Sequence, residues 1–221
     1  MLSYQKEVEE YAWNKKRQAI YSFLKKFDRE RKLRLLDVGC NNGGQLMGYS
    51  KLLNGHFIGL DVKKFNEWKL LSFDFLLGDA RKLPFKNEVF DIVIATEVIE
   101  HFVEGEAFVN EAYRVLRRGG LLLITTPNAL RFYMLHKRLI AKVRREKIVS
   151  GHTHEHPREY TAGELQKMLE EVGFHIEHID YIAFSPYLRL PIALFKIADK
   201  ISDRILKRYL KWDIFIAARK F

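Results

Sequence analysis

The stretch "LLDVGCNNGG", Leu35 to Gly44, decides the fold. A buried-strand pattern ends at Asp37 and runs into Gly39, Gly43 and Gly44. Glycines let a backbone bend sharply and let a ligand lie against it, with the next helix starting alongside. A dinucleotide fingerprint would read G-x-G-x-x-G. Here the order is Gly39-Cys40-Asn41-Asn42-Gly43-Gly44, which disfavours a nicotinamide or flavin enzyme.

Outward from this turn, apolar runs of strand length recur at Leu33–Val38, Phe57–Leu60, Phe75–Leu77, Phe90–Ala95 and Leu121–Thr125. Stretches with helical spacing separate most of them, although Val62–Leu71 is short for a helix. Strands alternating with helices predict a doubly wound α/β fold, a parallel sheet covered on both faces. Ligands in such sheets sit at the carboxyl ends of the strands, where strand order reverses. Upstream, Val8, Tyr11, Ala12, Ile20, Phe23, Leu24 and Phe27 predict one or two amphipathic helices within about residues 1–30. Downstream, Thr161 and Glu164 form a capping box and Gly173 a helix stop. Two further strand-like runs follow, His175–Phe184 and Trp212–Ala218.

Three successive strand ends carry an acid: Asp37, Asp61 in "FIGLDV" and Asp79 in "LLGDA". An acid in the second position can accept from both hydroxyls of a ribose. Asp79 can accept an exocyclic amine while the Ala80 amide donates to a ring nitrogen. Singly, each Asp reads as a loop cap. In order, they suit a nucleoside with a small charged tail.

With these motifs, "FDIVIATEVIEHF" and "VLRRGGLLLITTPN", the chain resembles class I S-adenosylmethionine-dependent methyltransferases, most closely the ubiquinone/menaquinone-biosynthesis branch. The resemblance covers roughly Leu33 to Phe174. It implies one domain over 1–221, with lid-like insertions at about 129–160 and 185–211. It also implies a Rossmann-like seven-stranded, mostly parallel sheet whose last strand is antiparallel. The implied cofactor is S-adenosyl-L-methionine. Its methionine part would lie against Asp37, Gly39, Cys40, Asn41 and Gly43, the glycines making room for it. Asp61 would hold the ribose, with Val62 beside it also against the cofactor, and Asp79 and Ala80 would hold the adenine. Thr96 and Glu97 would line the floor near the sulfonium. Asn41 replaces the second Gly of the family's D-x-G-x-G-x-G turn.

His101 follows the fourth strand and is the candidate catalytic base, because its pKa lies near working pH. Asn128 ends the fifth strand on the same rim and would orient substrate or shape a turn. His152, His154 and His156 alternate in "GHTHEHPREY". His154 and His156 are candidate substrate contacts, and with no fourth ligand in view no metal is expected.

The net charge of +10 favours anionic partners. DNA is not expected: "ATEV" stands where a base-amino methyltransferase carries D/N-P-P-Y/F, and the single cysteine, Cys40, lies in the glycine turn. RNA stays open as an alternative, through seven Lys or Arg within Arg131–Lys147. Leu194, Ile197, Ile201 and Ile205 form a stripe on a basic amphipathic helix, which suits either an anionic membrane surface or packing on the sheet. The two basic segments favour a small or lipid-like acceptor over RNA. A non-catalytic nucleotide-binding or membrane-adaptor module is the alternative from another class. One cysteine, no signal-peptide core and no long apolar run predict a cytoplasmic protein, peripheral to the membrane at most.

Overall fold

A computed structural model describes residues 2–27, 30–131, 157–184, 192–203 and 207–221. The three-histidine run, most of Arg131–Lys147 and much of the second proposed lid lie outside the described residues.

The strands are β1 (Lys32–Val38), β2 (Asn54–Asp61), β3 (Asp74–Leu77), β4 (Phe90–Thr96), β5 (Leu116–Pro127), β6 (Phe174–Phe184) and β7 (Lys211–Lys220). They form one seven-stranded sheet in the order β3-β2-β1-β4-β5-β7-β6. The pairs from β3 through β5 are parallel, and β7 is antiparallel to both β5 and β6. The antiparallel last strand expected from the sequence is present. The chain winds outward from β1 to β3, then returns to place β4 on the other side of β1. That reversal puts the carboxyl ends of β1 and β4 side by side, the position such sheets use for ligands.

Successive strand residues alternate between the two faces. Leu36, Val38, Val93, Ala95, Leu122, Ile124 and Ile216 pack against helices α3 (Glu106–Val115) and α4 (Ala162–Val172) through Phe108, Ala112, Leu165 and Leu169. Leu35, Ile92, Ile94, Leu123 and Phe215 pack on the other face against α1 (Leu2–Leu24) and α2 (Gly44–Ser50) through Ile20, Phe23, Leu46 and Tyr49. Helices α5 (Ile192–Ser202) and α6 (Lys207–Leu210) follow before β7.

The differences from the expected elements have local causes. The N-terminal segment is one 23-residue helix. Between β2 and β3 there is only a 3-10 turn, Asn66–Leu70, and Trp68 stacks on Phe75 at 4.8 Å and 7°. That stack fills the space a helix would cover. Strand β5 begins at Leu116, earlier than its apolar run, and takes in Arg117 to Gly120.

The capping box forms as expected. Thr161 accepts from the Glu164 amide, the Glu164 carboxylate accepts from the Thr161 amide, and Gly173 closes α4 at φ 111°. Thr161→Ala should therefore destabilise the protein by about 1 kcal/mol, read as a lower urea midpoint with an unchanged slope.

Candidate cofactor and acceptor site

The site begins at the end of β1. Gly39 and Gly43 take φ of 71° and 84°, in the left-handed region that favours glycine. A Cβ on Gly39 would lie 2.5 Å from Val98 Cγ2, and one on Gly43 2.7 Å from Phe75 Cζ. Their conformation and the chain's own packing therefore require glycine at both positions, before any ligand is considered. Asn41 is also left-handed, at φ 50°, and its carbonyl accepts from Trp68 Nε1 at 2.7 Å. The Cys40 side chain is buried, its Sγ within 2.7 Å of where a Cβ on Gly59 would stand. Its thiol therefore faces the sheet, and burial pushes its pKa up.

Asp37 is the buried acid at the base of this turn. It is 2% exposed, and its Oδ2 has no hydrogen-bond partner among the described residues. Burial, and secondarily the charge of Asp61, push its pKa up to about 8. A buried carboxyl group lacking a partner suits an incoming amine. Asp61 accepts from the amides of Asn41 and Lys63, each at 2.9 Å, so it orders the turn while each oxygen keeps a second lone pair. Val62 beside it is 69% exposed, an apolar surface at the strand end. Asp79 is bound by Arg81 through its guanidinium at 2.7 Å and its amide at 2.8 Å, and the arginine holds its carboxyl below the usual range. An exocyclic amine there would share the carboxylate with Arg81. Ala80 is buried.

At the end of β4, Thr96 and Glu97 are half-buried, and Glu97 sits at φ 56°. Glu97 accepts from Thr125 at 3.0 Å and pairs with Lys16 of α1 at 2.9 Å. Lys16 also pairs with Asp213 of β7, at 3.1 Å. Glu100, fully buried, accepts from Thr126 at 3.0 Å. Burial, then the charge of Glu97, raise its pKa well above the carboxylate range. Burial also raises Asp213, to about 7. Two carboxylates thus flank the Lys16 ammonium, and burial favours the protonated form of the nearby Glu100. Lys16, Glu100 and Asp213 escaped the sequence reading. His101 ends the 3-10 turn Ile99–His101 with an exposed side chain.

Asn128 is turned inward. Its amide donates to the carbonyls of Arg208 and Lys211, at 2.7 and 3.1 Å, and its Oδ1 accepts from the Leu130 amide. It is fully buried, so it staples the rim where a substrate contact was one of the expectations. Beside it, Arg131 and Glu159 form a buried pair at 2.6 Å, with the guanidinium 4.1 Å from the centre of the Trp212 ring. His154 and His156 lie outside the described residues, among which no cluster of His, Cys, Asp or Glu is suited to a metal.

Comparison with known proteins places this geometry. Residues 36–124, from β1 through most of β5, match the methyltransferase domain family. This segment is similar to that family. A probable S-adenosylmethionine-dependent methyltransferase from Mycolicibacterium smegmatis is 30% identical over 77% of this chain and 62% of its own length. A phthiotriol/phenolphthiotriol dimycocerosates methyltransferase from Mycobacterium ulcerans is 35% identical over 42% of this chain and 36% of its own. A ubiquinone biosynthesis O-methyltransferase from Parvibaculum lavamentivorans is 27% identical over 70% of this chain and 63% of its own. The chain thus spans between about a third and two thirds of these relatives. Among solved structures, an S-adenosylmethionine-dependent methyltransferase from Mesorhizobium loti superposes with a TM-score of 0.64 at 15% identity, covering 91% of this chain and 96% of that one. That likeness establishes the fold of the chain.

Two outcomes follow from the buried charges. Asp37 holds its proton in the folded state up to about pH 8, against 3.8 in its ordinary state. Its contribution is therefore complete below the lower value and is lost as pH rises toward the upper one. The slope reaches about 1.4 kcal/mol per pH unit. Asp37→Asn should flatten urea midpoints measured across that window, with Asp213 leaving a residual slope. Lys16→Met should cost about 3–5 kcal/mol by stranding the carboxylates. Adding Asp213→Asn should recover part of that loss in the same measurement.

Proposed function

We propose that the chain transfers the methyl group of S-adenosyl-L-methionine to a small or lipid-like acceptor, at oxygen, nitrogen or an activated carbon. The observation that carries the reading is the buried Asp37 Oδ2, unpartnered among the described residues, beneath a glycine turn, with Asp61 and Asp79 at the next two strand ends. The phthiotriol and ubiquinone-biosynthesis relatives support the lipid-like class of acceptor.

Bound, the cofactor supplies a methyl already activated on a sulfonium. The protein's part is to hold and to align. Asp37 receives the amine, directly or through water, and gives up its proton as it does so. Asp61 offers its remaining lone pairs to the ribose hydroxyls. Val62 lies against the ribose, and Asp79 with Ala80 receives the adenine. Thr96 and Glu97 line the floor, and Lys16 holds the Glu97 carboxylate in place from above. Alignment of the acceptor can supply roughly 7–11 kcal/mol. His101 takes a proton from the acceptor where one must leave, which adds about 10²–10⁴-fold.

Calorimetry and a methyl-transfer assay together test this reading. S-adenosylmethionine and its demethylated product should bind one to one, NAD should not, and binding near pH 7 should release a proton from Asp37. Asp61→Ala should weaken cofactor affinity by roughly 1.5–3 kcal/mol, the size of a charged hydrogen bond. His101→Ala should lower turnover and leave that affinity unchanged. Binding of NAD with none of S-adenosylmethionine would overturn the cofactor assignment. Full turnover in His101→Ala would remove that residue's role.

A further inference from the structure

Helix α5 is held by one side and open on the other. Phe195 packs edge-on against Tyr11 of α1, with ring centres 5.8 Å apart. The buried Asp199 carboxylate accepts from the Tyr11 hydroxyl at 2.7 Å and pairs with Lys15 at 3.1 Å and with Lys211. Ser202, also buried, donates to the Asp199 carbonyl. These contacts fix the rotation of the helix. They leave Leu194, Ile197 and Ile201 at 51%, 52% and 53% exposed. Spaced three and four apart, the three side chains form one outward stripe.

Two lysines follow that stripe. Lys196 and Lys200 are exposed and one helical turn apart. With Tyr11, Asn14, Lys15 and Gln18 of α1 they line an open groove of about 360 Å³. The ammonium groups of Lys15 and Lys196 approach the Tyr11 ring from the two helices, 5.7 and 5.9 Å from its centre. The acids nearest in the chain pair with Lys15 and Lys211 and leave the charge of Lys196 and Lys200 uncancelled among the described residues. Asp199 is buried among its three partners, and Asp203 pairs with Lys211 at 2.8 Å. Glu7, Glu9 and Glu10 are exposed further up α1.

We propose that the Leu194–Ile197–Ile201 stripe and the groove edged by Lys196 and Lys200 form one docking face for an anionic phospholipid bilayer. The stripe enters the acyl boundary while the lysines meet headgroup phosphates, the division of labour of an interfacial helix. The face also has a fixed relation to the site. Lys15 lines the groove while its neighbour Lys16 reaches Glu97 at the end of β4. Successive helix residues point about 100° apart, so α1 forms a wall shared by the docking face and the site. A lipid-like acceptor would then be met where it resides. The docking itself does not depend on the reaction.

Flotation of the full chain with vesicles tests the face. Phosphatidylcholine alone is compared with phosphatidylcholine containing phosphatidylglycerol, at low and at physiological salt. The wild-type chain should float with the anionic vesicles, less so at the higher salt, and not with the neutral ones. Lys196→Glu with Lys200→Glu should lower binding about tenfold or more. Ile197→Ser with Ile201→Ser should lower it by a similar factor while retaining the salt dependence. Thermal unfolding and S-adenosylmethionine calorimetry on the same variants report folding and the cofactor site separately, so a failure of docking is distinguishable from a failure of the proposed activity. No flotation of the wild type at low salt overturns the proposal. Wild-type binding by the serine variant overturns it too, since charge alone would then suffice. So does a dimer in solution that the serine variant dissolves, which would assign the stripe to a second copy.

Discussion

Lys16 pairs with both Glu97 and Asp213, close to the buried Glu100, and the carboxyl-end side of the sheet is organised around it. Its partners come from β4 and β7, on either side of β5, and it comes from the first helix. A buried ammonium is tolerated only where opposite charge surrounds it, and buried carboxylates only where a cation or a retained proton balances them. The arrangement therefore registers α1 across the carboxyl ends of the central strands. The adjacent Lys15–Asp199–Lys211 pairing extends the same registration to α5 and to the start of β7. The N-terminal helix is thereby built into the architecture of the cleft.

A second constraint is the glycine turn. Gly39 and Gly43 are required by backbone conformation and by contacts with Val98 and Phe75, before any ligand is considered. Asp61 ties that turn to β2 through the Asn41 amide. Two strand ends and the start of α2 are thus one rigid unit, and the unpartnered oxygen of Asp37 lies at its base. The carboxyl group is thus set in a pre-formed turn, which would keep the ordering cost low for any group that completes its bonding.

Much of this was legible in the sequence. Parallel strands buried on both faces read as largely apolar runs, and Leu33–Val38 and Phe90–Ala95 do so despite Arg34, Asp37 and Asp91. Thr161, Glu164 and Gly173 announced α4, because capping chemistry is local. The acids at three strand ends were visible in order. What stayed hidden was long-range. Lys16 sits in "NKKRQ", which reads as a solvated run, and its partners Glu97 and Asp213 are far along the chain. Nothing local distinguishes a charge that will be buried from its exposed neighbours. Asn128 was read onto the rim, but its inward turn depends on carbonyls of Arg208 and Lys211. The start of β5 at Leu116 was missed because Arg117 to Gly120 carry no strand signal of their own.

The buried Arg131–Glu159 pair, with the Asn128–Tyr160 bridge beside it, has an evolutionary consequence. It clamps together two points of the chain that flank a long intervening stretch, and does so against Trp212 inside the fold. Held at both points, the chain between them is a closed loop, and doubling the length of such a loop costs only about 0.6 kcal/mol. Insertions between the clamped points therefore carry little penalty in chain entropy, so length there is free to drift where the paired strands on either side are not.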